Sequence, residues 1–160
     1  MIARALALHR PDPEDPLGVL AAIGGFEIAA IAGLIIGAAQ QRRVVVLDGF
    51  ISCSAALVVR AMDPAALDCV VYSHRSAERG HRRMLEALGA FGKARPLLDL
   101  DMRLGEGTAA AIGISLVESA VRLYREMATF ESAAVSRDGR HQAGPTSEVP
   151  PPDSLSGAVR

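Results

Sequence analysis

Short unbroken apolar runs alternate along the chain with longer segments whose apolar positions recur at helical spacing. Val44–Leu47 (VVVL), Cys69–Tyr72 (CVVY) and Pro96–Leu100 (PLLDL) are too short for helices, and their make-up predicts three buried strands. Residues roughly 24–41, 52–62, 77–89 and 108–128 predict helices. The polar QQRR ends the first and Asp63-Pro64 stops the second; the third carries Met84, Leu85 and Leu88 on one side. The fourth presents Ile112, Leu116, Leu123 and Met127 as an apolar face. Strands alternating with helices are the sequence form of βαβ units. The expected fold class is therefore α/β, a three-layer α/β/α arrangement on a parallel sheet, Rossmann-like in outline.

Right-handed crossovers bring the C-terminal ends of parallel strands to one edge, where open α/β sheets bind ligands. The segments leaving the three strands are DGF (Asp48, Gly49, Phe50), SHRSAE (Ser73 to Glu78) and DMRLGEG (Asp101 to Gly107). All should meet on that edge. Asp48 suits a ribose hydroxyl, or equally the cap of a following helix. Ser73 or Ser76 is placed to cap the third helix, leaving amides free for an anion such as phosphate. His74 and His81, seven apart, make a poor metal pair without a further ligand. Glu106, between Gly105 and Gly107, reads as a turn acid near a helix start or as a general base held into a pocket.

Composition narrows the classes. Half the residues are hydrophobic and mean hydropathy is +0.25, ample for the core of one domain. Aromatics make up 4% and the net charge is −1, which argues against nucleic acid and anionic membranes as partners. The apolar stretch Ile28–Ala39, bounded by Glu27, is too short to span a bilayer; its Gly33 and Gly37 predict close helix packing. Cys53 and Cys69 read as reduced core thiols in a cytoplasmic protein. Residues 1–16 read as a weakly structured leader, 17–135 as the α/β region, and the Pro- and Gly-rich 136–160 as a disordered tail or linker.

Five segments occur in order: GGFEIAAIAG (Gly24–Gly33), VVLDGFIS (Val45–Ser52), SHRSAERGH (Ser73–His81), PLLDLDMRLGEGTAAA (Pro96–Ala111) and EMATFESAAV (Glu126–Val135). Together they resemble the C-terminal portion of the nicotinate-nucleotide–dimethylbenzimidazole phosphoribosyltransferases. The resemblance implies phosphoribosyl transfer from nicotinate mononucleotide to 5,6-dimethylbenzimidazole, giving α-ribazole 5′-phosphate and nicotinate in cobalamin nucleotide-loop assembly. It implies no metal and no redox cofactor. It makes Glu106 the general base and places Asp48, Gly49, Phe50, Ser73, Ser76, Ala77, Glu78, Gly105 and Gly107 around the substrates. Full-length relatives are homodimers, so self-association is expected by resemblance. Family members are about twice as long, and their N-terminal half supplies much of the benzimidazole pocket. The chain is thus expected to be a fragment, a split-gene product or one piece of a two-chain enzyme. Without that half, a sheet edge and an apolar helix face are expected to be exposed. The competing expectations are a non-catalytic remnant acting as a weak nucleotide-binding or interaction module, and a generic nucleotide binder.

Overall fold

Alanine and leucine favour helix strongly, and ARALAL near the start forms one that leans mainly on the helix after it. A computed structural model describes residues 1–89, 95–129 and 132–133. In it, α1 spans Ile2–His9, buries no residue and ends at Arg10, whose φ of 40° is left-handed. Residues 1–16 were expected to be weakly structured; local propensity overrides that expectation. Asp15 accepts the Gly18 N–H at 2.9 Å and Pro16 occupies the first turn, which starts α2 (Pro16–Ile23).

The four helices expected from periodicity are present as α3 (Phe26–Gln40), α4 (Phe50–Met62), α5 (Arg79–Ala87) and α6 (Thr108–Glu126). Strands β1 (Val45–Leu47) and β2 (Val70–Tyr72) pair in parallel, with Val45 opposite Val70 and Leu47 opposite Tyr72. Alternation turns those four side chains to one face and Val46 and Val71 to the other. The first face is the core. It packs with Ala32 and Ile35 of α3, Cys53, Ala56 and Val59 of α4, and Leu85 of α5. On the other face α6 approaches through Gly113, where an added Cβ would sit 3.2 Å from Val46 Cγ1 and 3.0 Å from Ser73 Cβ. The fold is α/β with a parallel sheet and helices on both faces.

Three expectations need correction. Pro96–Leu100 is not a full strand: Leu98 makes one parallel bridge, to His74. Leu97 N–H and Leu98 N–H donate to the carbonyls of Tyr72 and Ser73, so the segment lies along the end of β2. Pro96 lacks an N–H, and Asp101 turns left-handed at φ 53°, which cuts the extended run short. The apolar face of α6 does not reach the core. Only Ala109 and Gly113 are buried there, while Ile112, Leu116 and Leu123 remain 39%, 42% and 60% exposed. Finally, Gly33 and Gly37 pack against nothing, since an added Cβ at either meets no atom within 4 Å.

The chain divides into two units, Met1–Arg125 and Glu126–Arg160. In the second, Thr129 accepts the Ser132 N–H at 3.1 Å and closes a turn. The expected disordered tail, 136–160, lies outside the described residues. Among the described residues, no helix is long and apolar enough to cross a membrane.

Candidate functional site

The three segments leaving the strand ends do converge, and Asp48 is where they join. Its carboxylate Oδ1 accepts the N–H groups of Ala109 and Ala110 at 2.9 and 3.1 Å. Asp48 therefore caps a helix, as one of its two readings held, but the helix is α6, some sixty residues further along the chain. The negative charge also faces the positive end of a 19-residue helix. The Asp48 carbonyl meanwhile accepts from Ser73 Oγ at 2.6 Å and lies 2.7 Å from His74 Nδ1. One residue thus ties β1, the loop after β2 and the start of α6. We expect Asp48→Ala to lower stability by about 1–2 kcal/mol, and Asp48→Asn by about half as much because its amide oxygen still accepts. Urea unfolding of both variants checks this.

The loop after β2 is held at nearly every amide. Arg75 N–H donates to Leu98 O, Ala77 N–H to Met102 O, Ser76 N–H to His81 Nδ1 and Glu78 N–H to Ser76 Oγ. These amides are spent, so the loop from Arg75 to Glu78 offers no free amide to an anion. Arg75 Nε also donates to Asp99 at 2.9 Å, across the bridge. His74 has both ring nitrogens near carbonyls, Asp48 at 2.7 Å and Met102 at 3.3 Å. His81 is fully buried with Nδ1 engaged. Neither imidazole is presented for a metal, and the described residues hold no group of three potential metal ligands.

Glu106 sits in the third segment with an unusual backbone. Gly105, Glu106 and Gly107 have φ of 76°, 56° and 74°, three left-handed residues in a row. Glycine adopts this freely, whereas a glutamate held there costs about 1 kcal/mol. Arg10, Arg42 and Asp101 are left-handed as well, and of these four Glu106 is the one set between two left-handed glycines. Thr108 N–H donates to Gly105 O and closes the turn. Glu106 itself is exposed, so the described residues do not supply the dry surroundings expected around a base.

Between these segments opens a cleft of ≈ 610 Å³, in the range of small-molecule sites. Of the residues expected from sequence, Asp48, Gly49, Phe50, Ser76, Glu78, Gly105, Glu106 and Gly107 line it. Ser73 and Ala77 do not: Ser73 is buried beneath it, and Ala77 contributes its amide to Met102. Ile31, Ile51, Ser52, His74, Arg103 and Leu104 line it as well. Arg103 and Leu104 lie inside the RLGEG motif and Ile31 of α3 inside GGFEIAAIAG, so these lining residues fall in segments that carry the resemblance, although none was singled out there. Beneath the cleft, burial first and Asp48 second push the Cys53 thiol up to about 12, which makes it an inert core group. Another hollow, of ≈ 460 Å³ beside Arg60, Leu67 and Leu88, takes no residue from the three strand-end segments.

Comparison with known proteins identifies a family. The phosphoribosyltransferase family model matches residues 1–135. The nicotinate-nucleotide–dimethylbenzimidazole phosphoribosyltransferase of Syntrophotalea carbinolica is 53% identical over 137 residues, covering 86% of this chain and 38% of the relative. The protein of the same name from Chlorobium chlorochromatii is 54% identical over 136 residues, covering 85% and 37%. A crystal structure of the enzyme of that name from Thermus thermophilus superposes with a TM-score of 0.75 at 46% identity, covering 86% of this chain and 40% of that one. The chain spans about two fifths of the length of the curated relatives it matches.

Proposed function

The chain belongs to the phosphoribosyltransferase family, and on that premise we propose that it supplies the general-base part of a transfer from nicotinate mononucleotide to 5,6-dimethylbenzimidazole. A benzimidazole ring nitrogen attacks C1′ of the ribose, and the N–C1′ bond forms as the bond from C1′ to nicotinate breaks. Configuration inverts, and Glu106 takes the proton that the attacking azole loses. The products are α-ribazole 5′-phosphate and nicotinate. The observation that carries this reading is Glu106 itself, a carboxylate held at a left-handed φ of 56° on the lip of the cleft. Asp48, Gly49, Phe50, Ser76 and Glu78 face the same space and are proposed to contact the nucleotide, with Gly105 and Gly107 shaping the loop. Ser73 and Ala77 support these contacts from behind.

The proposal includes a further portion of the enzyme that closes the cleft, and a homodimeric assembly. The open faces favour both: Ile112 and Leu116 of α6 and the uncovered glycines of α3 are surfaces built for contact. The free thiols Cys53 and Cys69 suit a reducing cytoplasmic compartment. A second reading, a non-catalytic nucleotide-binding or interaction module, is favoured by one observation, the exposure of Glu106 to solvent.

The test is to incubate the purified chain with both substrates, alone and with the remaining portion of a full-length relative, and to follow α-ribazole 5′-phosphate by chromatography. We expect product when the second portion is present and little without it, because that portion must dry the cleft. Absence of product in both conditions would establish the module reading instead.

A further inference from the structure

His81 is, with Ser73, one of two polar side chains of the site region at 0% exposure, and no reaction step calls on it. Its surroundings are specific. Nδ1 accepts the Ser76 N–H at 2.8 Å, while Nε2 is buried with no partner among the described residues. An imidazole whose Nδ1 accepts is neutral and carries its proton on Nε2. Its ring meets Phe50 edge-on at 6.2 Å between centroids, and His74 lies 6.4 Å away. Phe50 begins α4 and lines the cleft, as do His74 and Ser76. From Ser76 the connection continues by one residue: Ala77 N–H donates to Met102 O, at the head of the segment that carries Glu106. Loss of the Ser76 bond therefore loosens the loop locally, between the Arg75 and Ala77 amides that stay bonded to Leu98 and Met102.

A buried donor without a partner is a standing cost, so an apolar residue would suit the same cavity better if packing were all that mattered. Only the acceptor at Nδ1 distinguishes histidine there. We propose that His81 is a positioning residue of the site, whose neutral imidazole latches the Ser76 amide and so holds the Ser73–Glu78 loop, with Phe50, in binding geometry. The proposal rests on the transferase reading for the identity of the nucleotide, not for the latch. The groups facing His81 are His74 and Arg75 from the loop and Asp48 from the end of β1. Protonation at Nδ1 sets two N–H donors against each other and opens the latch.

The experiment compares the full chain with His81→Leu, which has the bulk without the acceptor, and His81→Asn, whose Oδ1 can take the Ser76 N–H. Val59→Ala, a core change distant from the loop, controls for lost stability. Amide hydrogen exchange at Ser76 and nicotinate mononucleotide affinity are read for each at pH 7.5. We expect His81→Leu to speed Ser76 exchange and weaken nucleotide binding, each about tenfold or more relative to Val59→Ala, and His81→Asn to restore much of both. Equal effects of His81→Leu and Val59→Ala, or an unchanged Ser76 amide in His81→Leu, would overturn the proposal. If the wild-type chain does not bind the nucleotide, the substrate reading fails, and Ser76 exchange alone still decides the latch. Should His81→Leu fail to fold, the wild-type chain decides it: the Ser76 amide shift must follow the His81 titration, and independence of the two overturns the latch.

Discussion

Glu106→Gln in the complemented enzyme is expected to lower turnover by about 10²- to 10⁴-fold, with little change in nucleotide KM. The amide keeps the shape of the side chain and removes only its basicity. The backbone supplies a second, independent readout. Because Glu106 sits at φ 56°, Glu106→Gly should relieve local strain and raise stability by about 1 kcal/mol while also abolishing turnover. Glu106→Gln keeps the strain and should leave stability unchanged. A turn acid placed for the dipole of α6 behaves in the opposite way. Its loss to Gln costs a few tenths of a kcal/mol and leaves turnover intact. Steady-state kinetics and thermal unfolding of the two variants separate these cases, and full turnover in Glu106→Gln would sink the general-base role.

How much of this was legible in the sequence depends on the distance over which each feature is decided. Periodicity located α3, α4, α5 and α6 within a few residues, because an apolar stripe is a local pattern. The runs VVVL and CVVY became β1 and β2 for the same reason, and the alternation placed DGF, SHRSAE and GEG on one edge. Asp48 shows where locality ends. Its two readings, ribose contact or cap of the next helix, were both local, and its observed partners are the amides of Ala109 and Ala110. No neighbouring residue signals that bond. The serines at 73 and 76 suggested free amides, but those amides were already committed to Leu98, His81 and Met102, which only the folded chain brings near. The glycines at 33 and 37 and the stripe on α6 were read as packing surfaces. They are apolar and of the right spacing, yet among the described residues they stay uncovered or partly exposed. The pattern is consistent with a sequence shaped to pack against more protein than these residues contain. Glu106, on the lip of the cleft, is likewise exposed among the described residues.

Acid should unfold this protein earlier than a His81→Asn variant of matched neutral stability. Burial, aided by His74 and Arg75 and opposed by Asp48, pushes the His81 imidazole down to about 4 from its usual 6.5. In the unfolded chain the ring is free to protonate near 6.5, so between those values the unfolded state binds more protons. Stability therefore rises with pH across that window. The contribution of neutral His81 is fully present above about pH 7, is lost progressively as pH falls, and is gone near pH 4. A displacement of that size corresponds to about 3 kcal/mol, a large share of the stability of a domain whose apolar faces are still open. The bond geometry explains why the proton is disfavoured at the site. A proton on Nδ1 faces the Ser76 N–H, and the buried Nε2 already lacks a partner, so the charged ring has nowhere to place either donor. Asn at 81 cannot titrate there. The unfolding free energies of the two proteins, followed by urea titration from pH 7 to 4, should therefore diverge by about that amount in favour of His81→Asn, and a constant difference across the window would show that His81 does not carry the acid response.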